Sequence, residues 1–147
     1  MKNEVTENGP PGPQGGLAPQ PGLDQLDALV TRVRVAGIRV GVELSLPPGP
    51  LPAGVDLAAY RVVQEALTNT IRHATGAAAS VSIRYEGDRL EIEVTDTGGT
   101  RRGPSHTGGR GLIGLRERLA VYGGTLDAGR TPTGGYRILA RVPWRSS

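Results

Sequence analysis

Apolar residues recur along the chain with two periods, one of three to four residues and one of two, and the switches between them mark out the elements. Leu26, Leu29, Val30 and Val33 share one helical face, with Asp24 at its start and Gly37 placed to end it, so a first helix is predicted there. Ile38, Val40, Val42, Leu44 and Leu46 then alternate with polar or small residues, the period of a strand with one buried face, until Pro47 and Pro48 stop it. Asp56 is a candidate N-cap for a central helix, with Val55 and Tyr60 spaced as a hydrophobic staple. Leu57, Tyr60, Val63, Leu67 and Ile71 supply that helix with a core face, and Gly76 can terminate it. Val81, Ile83 and Tyr85, the turn Gly87-Asp88, and Leu90, Ile92 and Val94 predict a β-hairpin. After a stretch from Thr97 to Arg110 that is almost free of apolar side chains, Leu112, Leu115, Leu119 and Tyr122 form a third helical stripe closed by Gly123-Gly124. Thr125 to Ala128 and Tyr136 to Val142 read as a last pair of strands, with Trp144 packing near the end. Each element has one apolar face. That pattern predicts an α+β fold, a two-layer sandwich with three helices on one face of a mixed, mostly antiparallel sheet of about five strands.

Composition narrows the picture. The 147 residues are the size of one domain, expected over 22–147, whereas residues 1–21 are rich in Pro, Gly, Asn and Gln and are expected to form a disordered tail. No run of about 18 apolar residues and no export signal is visible, so a cytoplasmic location without membrane contact is expected. The absence of cysteine removes disulfide and thiolate chemistry, and two isolated histidines do not make a zinc site. The net charge is +3 with Lys and Arg scattered, a pattern that does not predict nucleic-acid binding.

The central helix carries a second, polar stripe. Glu65, Asn69 and then Arg72 with His73 follow one another at helical spacing, which places a carboxylate, an amide and two potential cations one turn apart. Taken locally this is a solvated helix edge, Asp96 in Asp96-Thr97-Gly98 is an Asx-turn residue, and the glycines around Gly109 are loop flexibility. Their order along the chain changes that balance. The run Gln64-Glu65-Ala66-Leu67-Thr68-Asn69 with Arg72-His73-Ala74, then Asp96-Thr97-Gly98, then Gly109-Arg110-Gly111-Leu112-Ile113-Gly114-Leu115-Arg116-Glu117-Arg118 resembles the catalytic ATP-binding domain of sensor histidine kinases. Within the gyrase, Hsp90, histidine kinase and MutL superfamily, with its Bergerat fold, it is most similar to the branch that works with NarL-type response regulators. The likeness runs from about Leu23 to Trp144.

The resemblance implies ATP and Mg2+ as cofactors and assigns roles. Asn69 would be the Mg2+ ligand, adequate because magnesium binds few protein oxygens and keeps several waters. Glu65 would polarise the attacking nucleophile as a general base. Arg72 and His73 match basic positions able to reach phosphate oxygens. Asp96 would accept a hydrogen bond from the exocyclic amine of adenine, and Gly98 would let the backbone approach the base. Gly109, Arg110, Gly111 and Leu112, with Gly108 and Gly114 beside them, would form a phosphate site at a helix start. The stretch from Thr97 to Arg110 would be a nucleotide lid. Two positions depart from the family pattern: Thr100 follows Gly99 where a glycine is usual, and Tyr136 stands where many relatives carry threonine near the adenine. Tyr136 receives no role, and Arg116 and Arg118 are expected on the helix surface.

In the family, phosphate is accepted by a histidine followed by Asp or Glu on a separate dimerising helical hairpin. His73 precedes Ala74 and His106 precedes Thr107, so neither fits. The implied partners are therefore a histidine-containing dimerisation domain and a NarL-type response regulator. The isolated chain is expected to be a nearly inactive monomer. Two alternatives share the fold: a protein-serine kinase of the anti-sigma-factor type and a non-catalytic nucleotide-binding module.

Overall fold

A computed structural model of the chain describes residues 20–74, 76–98 and 109–145, with the backbone alone at Gly109 and Arg110. Nearly all of the expected tail lies outside the described residues. So do Gly99, Thr100, His106, Gly108 and the side chain of Arg110, and with them most of the expected lid.

The elements in chain order are α1 (Leu26–Val35), β1 (Arg39–Leu44), α2 (Ala53–His73), β2 (Ala78–Glu86), β3 (Arg89–Asp96), α3 (Gly109–Val121), β4 (Thr125–Arg130) and β5 (Tyr136–Pro143). A single 3-10 turn, Leu23–Gln25, precedes α1. The five strands form one sheet in the order β1-β2-β3-β5-β4. Only β1 and β2 are parallel, because α2 makes the crossover between them, and the other pairs are antiparallel. This is the mixed sheet with three helices that the two periods predict. Leu90, Ile92, Ile138, Ala140 and Val142 of the two central strands are fully buried with Val62, Val63 and Leu67 of α2, and Leu112 and Leu119 of α3. Burial of each large side chain among them contributes about 1.5–3 kcal/mol.

The opposite sheet face is charged. Glu91 bridges three strands, accepting from Arg84 of β2 at 2.7 Å through one oxygen and from Arg141 of β5 at 3.0 Å through the other, and Arg137 pairs with Glu93. The Arg84 hydrogen bond above all, opposed by partial desolvation and reinforced by Arg141, holds the Glu91 carboxyl below the ordinary carboxylate range. A lowered folded pKa stabilises the fold above the ordinary carboxylate value of about 4.3 and ceases to do so as pH falls through the folded value. Glu91→Gln should therefore lower Tm slightly at neutral pH, with the difference from wild type vanishing in thermal melts as pH falls through the lowered folded value.

Five expectations are corrected. Asp56 does not cap α2, which starts three residues earlier with Pro52 as N-cap; its Oδ1 instead accepts from the backbone N–H of Leu23 at 2.9 Å and ties the 3-10 turn to α2. Val55 and Tyr60 are consequently both helical and buried rather than a staple across a helix start. Asp24 lies in the 3-10 turn, and α1 follows Gln25 with no side-chain cap. The apolar run of the first strand is buried only at Ile38 and Val40. Val42, Leu44 and Leu46 are exposed, since β1 stands at the sheet edge with β2 alone beside it. Ile71 and Tyr122 are likewise exposed at the ends of their stripes, at 42% and 41%. No helix among the described residues is long and apolar enough to cross a membrane.

Candidate functional site

Helix α2 packs on both β3 and α3, and its inward surface brings the three sequence motifs into contact with one helix. Asn69 lies on that surface, 3% exposed, and neither its Oδ1 nor its Nδ2 has a hydrogen-bond partner among the described residues. Buried amides are almost always satisfied, so a donor and an acceptor left open together mark a place whose partner lies outside the described residues. The Oδ1 atom is a neutral, hard oxygen, suited to a magnesium ion that keeps most of its waters.

One turn earlier, half-buried Glu65 meets the start of α3. A Cβ placed on Gly111 would collide with the Glu65 carboxylate, so the carboxylate rests directly on the glycine backbone and would have to swing aside for any larger residue. The opening turn of α3, from Gly109, carries backbone N–H groups without helical acceptors and the positive end of the helix dipole. Between α2 and α3 runs a cleft of about 330 Å3 lined by Arg61, Gln64, Glu65, Gly111, Gly114 and Arg118, among others. Gly114 has open space where a Cβ would project, so packing does not require glycine there. The Leu112 side chain is buried in the core, which leaves only its backbone for a ligand.

Asp96 closes β3 and forms the second half of the site. Its Oδ1 accepts from the N–H of Gly98 at 2.8 Å, an Asx turn, and from the N–H of Tyr136 at 3.2 Å on β5. Its Oδ2 lies 3.1 Å from the hydroxyl of Thr70 on α2. Close packing of glycines sets the carboxylate in place. Gly98 has φ +89°, and a Cβ on it would stand 2.5 Å from the Gly134 carbonyl oxygen. On Gly135 a Cβ would stand 1.9 Å from the Asp96 carbonyl oxygen, and its N–H donates to the Thr131 hydroxyl at 3.0 Å.

Among the residues singled out by sequence, the structure joins Glu65 to Gly111 and Asp96 to Gly98, and it sets Asn69 next to Thr70, which touches Asp96. Arg72 and His73 sit in the last turn of α2, Arg72 exposed and His73 half-buried, where positive charge also favours the helix C-terminus. Arg116 and Arg118 are exposed, as expected of the helix surface; Arg116 also donates to the Leu126 carbonyl on β4 at 3.1 Å. Tyr136 contributes its backbone N–H to Asp96 while its side chain is buried. Thr70 and Gly135 escape the motif reading. The signal for Thr70 is a hydroxyl at a position that continues the inward face of Val63 and Ala66.

Residues 54–146 match the family model described as histidine kinase-, DNA gyrase B- and HSP90-like ATPase. Sensor histidine kinase YxjM of Bacillus subtilis is 35% identical over 127 residues, covering 83% of this chain and 30% of that protein. The chain thus spans less than a third of the length of this relative. In structure it is similar to the histidine kinase domain of the Erythrobacter litoralis EL346 blue-light activated histidine kinase, with TM-score 0.66 and 20% identity over 88% of this chain and 66% of that one. It is also similar to full-length ShkA in complex with AMPPNP, with TM-score 0.63 and 18% identity over 85% of this chain and 30% of that one.

Proposed function

Since the chain belongs to the family of histidine kinase-, DNA gyrase B- and HSP90-like ATPases, we propose that it binds ATP with Mg2+ and donates the terminal phosphoryl group to a histidine on a separate dimerisation domain. The receiver downstream would be a response regulator of the NarL type. The observation that carries this reading is the buried amide of Asn69, unpartnered among the described residues, one turn from Glu65 and one residue from the Thr70 that holds Asp96.

The residues fit these ligands. Asn69 Oδ1 would coordinate the metal, which when bound supplies positive charge to the phosphate oxygens. The N–H groups opening α3 would hold phosphate, and Asp96 would accept from the adenine amine beside the Gly98 and Gly135 backbone. Glu65 would take the proton from the acceptor imidazole as its nitrogen bonds the phosphorus and the bond from phosphorus to the ADP oxygen breaks. Positioning and electrostatics supply most of the catalysis in such a transfer, so these groups accomplish little without the acceptor domain.

The test is incubation of the full chain with γ-labelled ATP and Mg2+, with and without the histidine-bearing helical hairpin of a NarL-type kinase. Label should appear on the hairpin as an acid-labile phosphohistidine and be lost with Glu65→Gln, while the chain alone turns over little. Label confined to a serine of a partner protein, or nucleotide binding with no transfer under any condition, would overturn the proposal.

A further inference from the structure

We infer that Thr70 is a positioning residue for Asp96 and sets the preference for adenine over guanine. The inference rests on the nucleotide reading above and adds to it a residue outside the three motifs. Thr70 is 1% exposed on α2, and its Oγ1 lies within reach of two acceptors, the Ala66 carbonyl at 3.2 Å and Asp96 Oδ2 at 3.1 Å. A hydroxyl has one proton to give. The bond to the carboxylate is charge-assisted and about twice as strong as one to a neutral carbonyl, so the proton goes to Asp96. The Ala66 carbonyl, inside α2, is already served by the backbone N–H of Thr70 at the regular helical spacing.

What this bond fixes is a direction. Oδ1 accepts from the Gly98 and Tyr136 N–H groups, and the Thr70 hydroxyl holds Oδ2 against a rigid helix, so the carboxylate is set from both of its oxygens. A carboxylate locked as an acceptor attracts the N6 amine of adenine and repels the O6 of guanine, which is itself an acceptor. Without the Thr70 hydroxyl, Oδ2 would be held less firmly as an acceptor facing the base, and discrimination between the two bases would fall. Asn69 and Thr70 are consecutive on α2, so a single helical step sets both the candidate metal ligand and the orientation of the base acceptor.

Thr70→Val keeps the shape and removes the hydroxyl, and Thr70→Ser restores it. Calorimetric titration of the full chain with non-hydrolysable ATP and GTP analogues should show Thr70→Val losing about tenfold in affinity for the adenine analogue. The guanine analogue should be little affected, so that the preference shrinks by the same factor, and Thr70→Ser should stay within about twofold of wild type. In parallel, without ligand, the amide NMR signals of Gly98 and Tyr136 should move in the Val variant and return in the Ser variant. Unchanged preference, or amide signals indifferent to the hydroxyl, would show that Thr70 serves only its own helix and would overturn the inference. Wild type that binds neither analogue, with amide signals that do respond, would remove the nucleotide reading and the base preference while leaving the contact with Asp96 in place.

Discussion

Asp96→Ala should reduce affinity for a non-hydrolysable ATP analogue by about a hundredfold, with magnesium present or absent. A hydrogen bond to an ionised group is worth about 1.5–3 kcal/mol, up to two powers of ten in affinity, and under the proposed function it would be the contact that reads the base. The same substitution strips the acceptor from the N–H groups of Gly98 and Tyr136 and from the Thr70 hydroxyl. Some loss of stability, about 2–3 kcal/mol, should therefore accompany it. Asp96→Asn separates the two effects. Its amide oxygen can still accept from the two backbone N–H groups, so the turn is kept, while the NH2 that replaces Oδ2 faces both the Thr70 hydroxyl and the adenine amine with donors. Calorimetry should find the Asn variant well folded yet nearly as weak a binder as the Ala variant. Wild-type affinity in both would mean that the base lies elsewhere.

The expectation for Asp96 illustrates what a sequence makes legible. Stripes that face one crowded layer are read correctly from their period: Leu26, Leu29, Val30 and Val33 of α1, Val81, Ile83, Leu90, Ile92 and Val94 of the β2–β3 hairpin, and Leu112, Leu115 and Leu119 of α3. Period fails where an element outruns the layer covering it. Val42, Leu44 and Ile71 continue their patterns without an opposing surface, and periodicity carries no information about what lies opposite. Strand order is equally hidden. That β5 inserts between β3 and β4 rests on long-range pairings such as buried Leu90 opposite Val142, which no local pattern specifies. Asp56 fails for a related reason. Its carboxylate has the right chemistry for an N-cap, but the N–H that it serves, at Leu23, belongs to another element.

The candidate site divides in the same way. Spacing alone puts Glu65 and Asn69 on one stripe, and the resemblance gives that stripe its chemistry. The approach of Glu65 to Gly111 and of Asp96 to Gly135 depends on the missing Cβ atoms of glycines brought together from distant parts of the chain. From sequence, those glycines are indistinguishable from ones such as Gly114 that meet nothing.

Asn69→Ala carries the sharpest expectation, because stability and function should move in opposite directions. The wild-type side chain is buried with its donor and its acceptor both unpaired among the described residues, an arrangement that costs about 1–3 kcal/mol. Alanine removes the unpaired groups and is the better helix former by up to roughly 0.7 kcal/mol, against which stands only the small cavity left by an amide. In thermal melts without ligand, Asn69→Ala should be as stable as wild type or more so. In calorimetry with the ATP analogue, the same variant should lose the increment that magnesium adds and keep the magnesium-independent part, since Asp96 and the start of α3 are untouched. Phosphoryl transfer to the hairpin should fall at least about a hundredfold, because charge stabilisation at the phosphate is the largest single contribution to this chemistry. A protein that retains an unfavourable group inside its longest helix gives up stability for what that group does when its partner arrives. If Asn69→Ala instead melts several degrees below wild type in the absence of ligand, the amide has a structural partner in solution, and its assignment to the metal loses its physical basis.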